Sequence, residues 1–132
     1  MIHLEGVSKI YRPEVFALKK VDLHIRPGEF VSIVGRSGSG KTTLAKLLIA
    51  EERPTEGKVM VGNWDITKIR RGEIPTLRRQ IGIVFQDFKL LPKKKVFENV
   101  AFALEVSGMP AKKIEATVPQ VLKIVSLSDK AE

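Results

Sequence analysis

Nine residues constrain this chain more than any others: Gly35-Arg36-Ser37-Gly38-Ser39-Gly40-Lys41-Thr42-Thr43. They fit G-x-x-x-x-G-K-[ST], a loop that cradles phosphate when a strand precedes it and a helix follows. Phe30-Val31-Ser32-Ile33-Val34 is a short apolar run rich in β-branched residues, which predicts a buried parallel strand. Leu44, Leu47 and Leu48, with Ala45 and Ile49 beside them, are spaced for a helix. Glycines at 35, 38 and 40 let the backbone curl so that successive N–H groups point inward. The helix that follows adds about half a positive charge at its N-terminus. In that frame Lys41 reaches the β/γ-phosphates of a nucleotide, and the Thr42 hydroxyl ligates Mg2+. The competing explanation is a glycine-rich turn that carries a lysine by chance. At ordinary residue frequencies such a match arises on the order of once in a hundred chains of this size.

Charge narrows the partners. Lys and Arg outnumber Asp and Glu by 23 to 15, a formal +8. That excess suits nucleic acid, an acidic membrane surface or an anionic small ligand. One Trp and one Tyr leave no interleaved aromatics for base stacking, so nucleic acid is not expected. No apolar run approaches the ~18 residues of a membrane span. Met1-Ile2-His3-Leu4-Glu5 lacks the basic and apolar regions of a signal peptide. With no cysteine, disulfides and thiolate metal sites are excluded, and a reducing cytosol fits. His3 and His24 read as ordinary strand residues.

Taken in order, Ile2, Leu4 and Val7 begin an alternating strand, and Lys9–Glu14 reads as a loop. Val21, Leu23 and Ile25 alternate with polar residues as a second, half-buried strand. These two predict an antiparallel layer beside the phosphate-loop core. Val59 and Val61 make a short strand closed by Gly62-Asn63, and Trp64–Pro75 is polar. Ile81-Gly82-Ile83-Val84-Phe85 reads as another buried strand, ending at Gln86-Asp87. Val96, Val100, Ala103 and Leu104 define one helical face, which Gly108 and Pro110 stop. Ile114, Val118, Val121, Leu122 and Val125 define another, with Pro119 inside it. Either that helix is kinked at Pro119 or it is two short pieces. Lys93-Lys94-Lys95 reads as a solvated loop. Arg78 and Arg79 read as either surface or intersubunit residues.

These stretches resemble the N-terminal part of an ABC-type ATP-binding domain. Gly6-Val7-Ser8-Lys9-Ile10-Tyr11, the phosphate loop, Glu52-Arg53-Pro54-Thr55-Glu56-Gly57, Asp65-Ile66-Thr67 and Leu77–Leu91 carry the resemblance, and Val96–Leu104 continues it. It is nearest to the cell-division ATP-binding subunits, while lipoprotein-releasing and macrolide-exporting members share much of the pattern. The implied fold is α/β: a P-loop NTPase core of ABC type with an antiparallel β-layer and the start of a helical subdomain. The implied division is 1–85 for layer and core, 86–95 for a Q-loop region and 96–132 for the helical start. The resemblance makes Tyr11 the aromatic residue that stacks on adenine, the alternative being local packing in a turn. It makes Gln86 the Q-loop residue, whose side chain reaches Mg2+ or the attacking water in catalysis and whose loop senses the membrane partner. Gly35, Arg36, Ser37, Gly38, Ser39, Gly40, Lys41, Thr42 and Thr43 become the ATP site, with Thr42 and Gln86 at the metal. Also implied are a homodimer, a transmembrane partner subunit, and a peripheral location at the cytoplasmic face of the inner membrane. The Lys93–Lys95 loop would lie near the docking partner and anionic lipid.

The pattern also departs from the family. Its signature motif, its second acidic strand, its catalytic Glu and its switch His have no match here, since Leu127-Ser128 is followed by Asp129. The expectation is therefore a piece of a longer protein, inactive alone, which leaves apolar strand surface uncovered.

Overall fold

A computed structural model describes residues 1–131. The chain forms two compact units, Met1–Ile81 and Gly82–Glu132, with Glu132 itself outside the described residues.

The first unit is built on an antiparallel sheet of order β2-β1-β3-β4, with β1 at Ile2–Tyr11, β2 at Val15–Ile25, β3 at Glu56–Val61 and β4 at Trp64–Asp65. The antiparallel layer is as expected, but the strands are longer. β1 runs on to Tyr11 where a loop from Lys9 was expected, because Lys9, Ile10 and Tyr11 pair with Leu18, Phe16 and Val15. Leu4 and Val7 are both buried although three residues apart. Strict alternation would put them on opposite faces. A register shift between them, with Gly6 at φ +53°, turns the strand and returns Val7 to the core. The polar stretch after Gly62 contains β4 and the buried Ile66 and Ile69, which alternation over so few residues did not signal.

Helix α1, Lys41–Leu48, lays Leu44 and Leu47 against Leu4, Val7 and Val59. Burying each leucine contributes roughly 1.5–3 kcal/mol. The helix ends where Ala50 turns to φ +52° and Glu51 N–H reaches back to the Lys46 carbonyl at 2.9 Å. Helix α2, Ile74–Arg79, buries Leu77 in the same core. Arg78 is exposed, as a surface residue would be, but its guanidinium is held. Its Nε donates to the Ile49 carbonyl at 2.9 Å, and Nη2 donates to that of Ala50 at 3.4 Å, capping the end of α1.

Two expectations fail. Phe30–Val34 and Ile81–Phe85 are not strands and are not buried. Phe30 is 97% exposed, Val34 86% and Val84 92%. A parallel strand needs hydrogen-bonded neighbours, and among the described residues neither run has one.

The second unit packs α3, Val96–Val106, against α4, Ala111–Ile124, around Ala101, Ile114, Val118 and Leu122. α4 runs unbroken through Pro119, so the two-piece alternative does not hold. Val121 and Val125 lie outside the buried stripe that Ile114, Val118 and Leu122 form at four-residue spacing. Asn99 fastens the preceding loop to α3. Its side chain accepts from Leu91 N–H at 2.8 Å and donates toward the carbonyls of Leu91, Lys94 and Lys95 at 3.0–3.3 Å.

Candidate nucleotide site

The loop at 35–43 leads directly into α1, so its last residues form the helix N-terminus. Gly38 and Gly40 take φ +79° and +91°, a region L side chains adopt only under strain. A Cβ on Gly35 would stand 2.6 Å from Ser39 Oγ, and one on Gly40 would collide with the Ala17 carbonyl oxygen. The curl therefore depends on bare backbone at Gly40, whereas at Gly35 the Ser39 hydroxyl would have to turn aside. No side chain among the described residues caps α1 at Gly40, and its first turn holds no acidic residue. Its free N–H groups and dipole are left for an anion.

Lys41 lies back across this curve. Its Nζ donates to the carbonyls of Gly35 at 2.7 Å and Arg36 at 2.9 Å, and stands 3.4 Å from Ser39 Oγ. The ammonium is thus fixed within the loop. Arg36, Ser37 and Thr42 are exposed, and Thr43 is half-buried. Among the described residues no three His, Cys, Asp or Glu side chains are grouped to hold a metal ion. A divalent ion here would rest on the Thr42 hydroxyl and ligand oxygens, a pattern that suits Mg2+. The uncapped helix start and the Lys41 ammonium give the loop the charge that a polyphosphate calls for.

The β1–β2 hairpin abuts the loop, because Ala17 and Leu18 close on Gly40. Tyr11 stands on that hairpin at the end of β1, opposite Val15 and half-buried. The first unit therefore assembles Tyr11's hairpin with residues 35–43. Gln86 belongs to the second unit, exposed in a turn.

Behind Tyr11 lies a charged cluster that no local pattern announced. Lys9 Nζ is 2.7 Å from Glu52 Oε2, 2.9 Å from the Arg53 carbonyl and 5.1 Å from the Tyr11 ring centre. The hydrogen bond from Lys9 is the main reason the Glu52 carboxyl sits below its ordinary value, with a smaller contribution from the Tyr11 hydroxyl. The Glu51 hydrogen bond likewise raises Lys46. Lys9 and Glu52 are far apart in sequence, so only the fold could reveal the pair. The two histidines also meet across β1 and β2, with their Nδ1 atoms 2.9 Å apart.

Among the described residues no helix is long and apolar enough to cross a membrane. The family model described as "ABC transporter" matches residues 18–132. The chain is 50% identical to the cell division ATP-binding protein FtsE of Bacillus subtilis, over 99% of this chain and 58% of that protein. It is 42% identical to the methionine import ATP-binding protein MetN of Symbiobacterium thermophilum, over 99% of this chain and 40% of that one. A solved dimer of an ATP-binding cassette in a post-hydrolysis state, bound to ADP and Pi, superposes with a TM-score of 0.89 at 36% identity. That match covers 99% of this chain and 60% of the cassette. The chain thus spans somewhat over half the length of its nearer relatives, and its fold is that of the α/β ABC ATPase cassette.

Proposed function

The chain belongs to the ABC transporter family, and from that premise we propose that it supplies the phosphate- and adenine-binding part of an FtsE-like ATP-binding subunit. The protein of which it is part couples ATP binding and hydrolysis to a transmembrane, FtsX-like partner in bacterial cell division. It works as a homodimer at the cytoplasmic face of the membrane. Residues 1–85 supply the β-layer and loop core, 86–95 the Q-loop region and 96–132 the start of the helical subdomain.

The observation that carries this reading is the Gly35–Thr43 loop, with Lys41 fixed within its curve and α1 uncapped above it. Its backbone N–H groups and Lys41 bind the triphosphate. Thr42 orients the cation, and Tyr11 holds the adenine. Gln86, on the second unit, is read as the Q-loop residue of the subunit. Bound Mg2+ neutralises phosphate charge as it develops. The identity to B. subtilis FtsE supports the cell-division role.

A second reading is an importer subunit, favoured by the similarity to MetN. Depletion in the source cell separates them: a division defect supports the first, and lost solute uptake with normal division supports the second. For the site itself, calorimetry decides. Lys41→Ala removes the main cation at the phosphates and should abolish MgATP binding. A variant that binds MgATP as tightly as the parent refutes this placement of the phosphates.

A further inference from the structure

We propose that Lys9 is a positioning residue for the nucleotide base, closing one face of the Tyr11 ring and tying that ring through Glu52 to the segment that follows α1. The inference rests on the reading of Tyr11 as the adenine platform and adds to it.

Lys9 and Tyr11 are two apart on β1, and the Lys9 ammonium lies over the Tyr11 ring. The β1–β2 ladder slips register on both sides of Lys9, and such slips re-aim side chains. The ammonium then has three partners: a carboxylate at 2.7 Å, a carbonyl at 2.9 Å and an aromatic ring at 5.1 Å. The Lys9 side chain keeps only 13% of its exposure, against 29% for Glu52. A lysine held so has given up its rotamer freedom on folding.

Two consequences follow for a base. The ring plane is set before ligand arrives, so stacking does not have to order it. Because a cation already lies over the ring, a purine has the opposite face to stack on. Glu52 and Arg53 follow the helix that begins at the phosphate loop. The same ion pair therefore fixes the distance between the base platform and the phosphate cradle.

Calorimetry with MgATP and with magnesium tripolyphosphate, which lacks the base, tests this. Lys9→Met should weaken MgATP about three- to tenfold and leave tripolyphosphate within about twofold. Lys9→Arg, which keeps the cation, should restore most of the loss. In a Tyr11→Ala background Lys9→Met should add nothing, since its effect passes through the ring. Equal losses for both ligands, or no loss for either, overturn the proposal. If Tyr11→Ala itself leaves MgATP affinity unchanged, the adenine platform is misassigned and the role of Lys9 falls with it. If Tyr11→Ala discriminates and Lys9→Met does not, only the role of Lys9 falls. Should Lys9→Met not fold, Glu52→Gln carries the same comparison, and absence of a selective MgATP loss there is equally fatal.

Discussion

The carbonyl oxygen of Ala17 fills the space that a side chain on Gly40 would need, which welds the hairpin to the phosphate loop. Gly40→Ala therefore meets backbone that cannot swing aside, and it also strains a φ of +91°. Gly38, at φ +79°, opens onto free space. The expected cost is about 1–2 kcal/mol for Gly38→Ala and well above that for Gly40→Ala. Urea denaturation ranks the two, and equal costs would show that the contact does not matter.

Glu52 gives the unit an acid-sensitive joint. Its carboxyl lies below the ordinary 4.5 in the folded chain, chiefly through Lys9. A depressed folded value means the stabilisation is complete above 4.5 and fades as pH falls through the folded value. Glu52→Gln should be less stable than the parent at pH 7, and the gap should close on acidification. A gap independent of pH would rule out the ion pair as its source.

Asn99 should govern the second unit alone. Asn99→Ala deletes side-chain bonds to Leu91, Lys94 and Lys95 at the start of α3. The expected loss is about 1–3 kcal/mol, read as faster amide exchange near Leu91 and in the first turn of α3. Unchanged exchange there would remove Asn99 as the anchor.

Arg78 and its neighbour should part company. Arg78→Met leaves the carbonyls of Ile49 and Ala50 without their guanidinium and should cost about 1–3 kcal/mol. Arg79 is exposed, and Arg79→Met should fall within about 0.5 kcal/mol of the parent. Thermal melts of the two variants that coincide would contradict the capping role.

These contrasts mark how far the residues could be read in advance. Glycine spacing and Lys41 announced the loop because backbone freedom and charge are properties of the residues themselves. Leu44 and Leu47 announced α1 by period. Phe30–Val34 announced apolar character correctly, but strand formation also needs a partner, which no run specifies alone. Val7 defeated simple alternation because Gly6 inserts a bulge. Lys9 and Glu52 meet only because β1 runs beside the segment that follows α1, and Arg78 finds its carbonyls only after α2 has packed. Site residues on one continuous segment were legible, whereas those brought together by the fold were not.

The central position of β1 sets a timetable for the nascent polypeptide. Its partner on one side, β2, follows at once, but thirty residues separate Ile25 from the start of β3 at Glu56. At about 5–20 residues per second, the emerging hairpin waits roughly two to six seconds with Leu4 and Val7 uncovered before its second neighbour leaves the ribosome. Synonymous codons that slow translation between positions 26 and 55 should lengthen that wait, and with it the demand for chaperones.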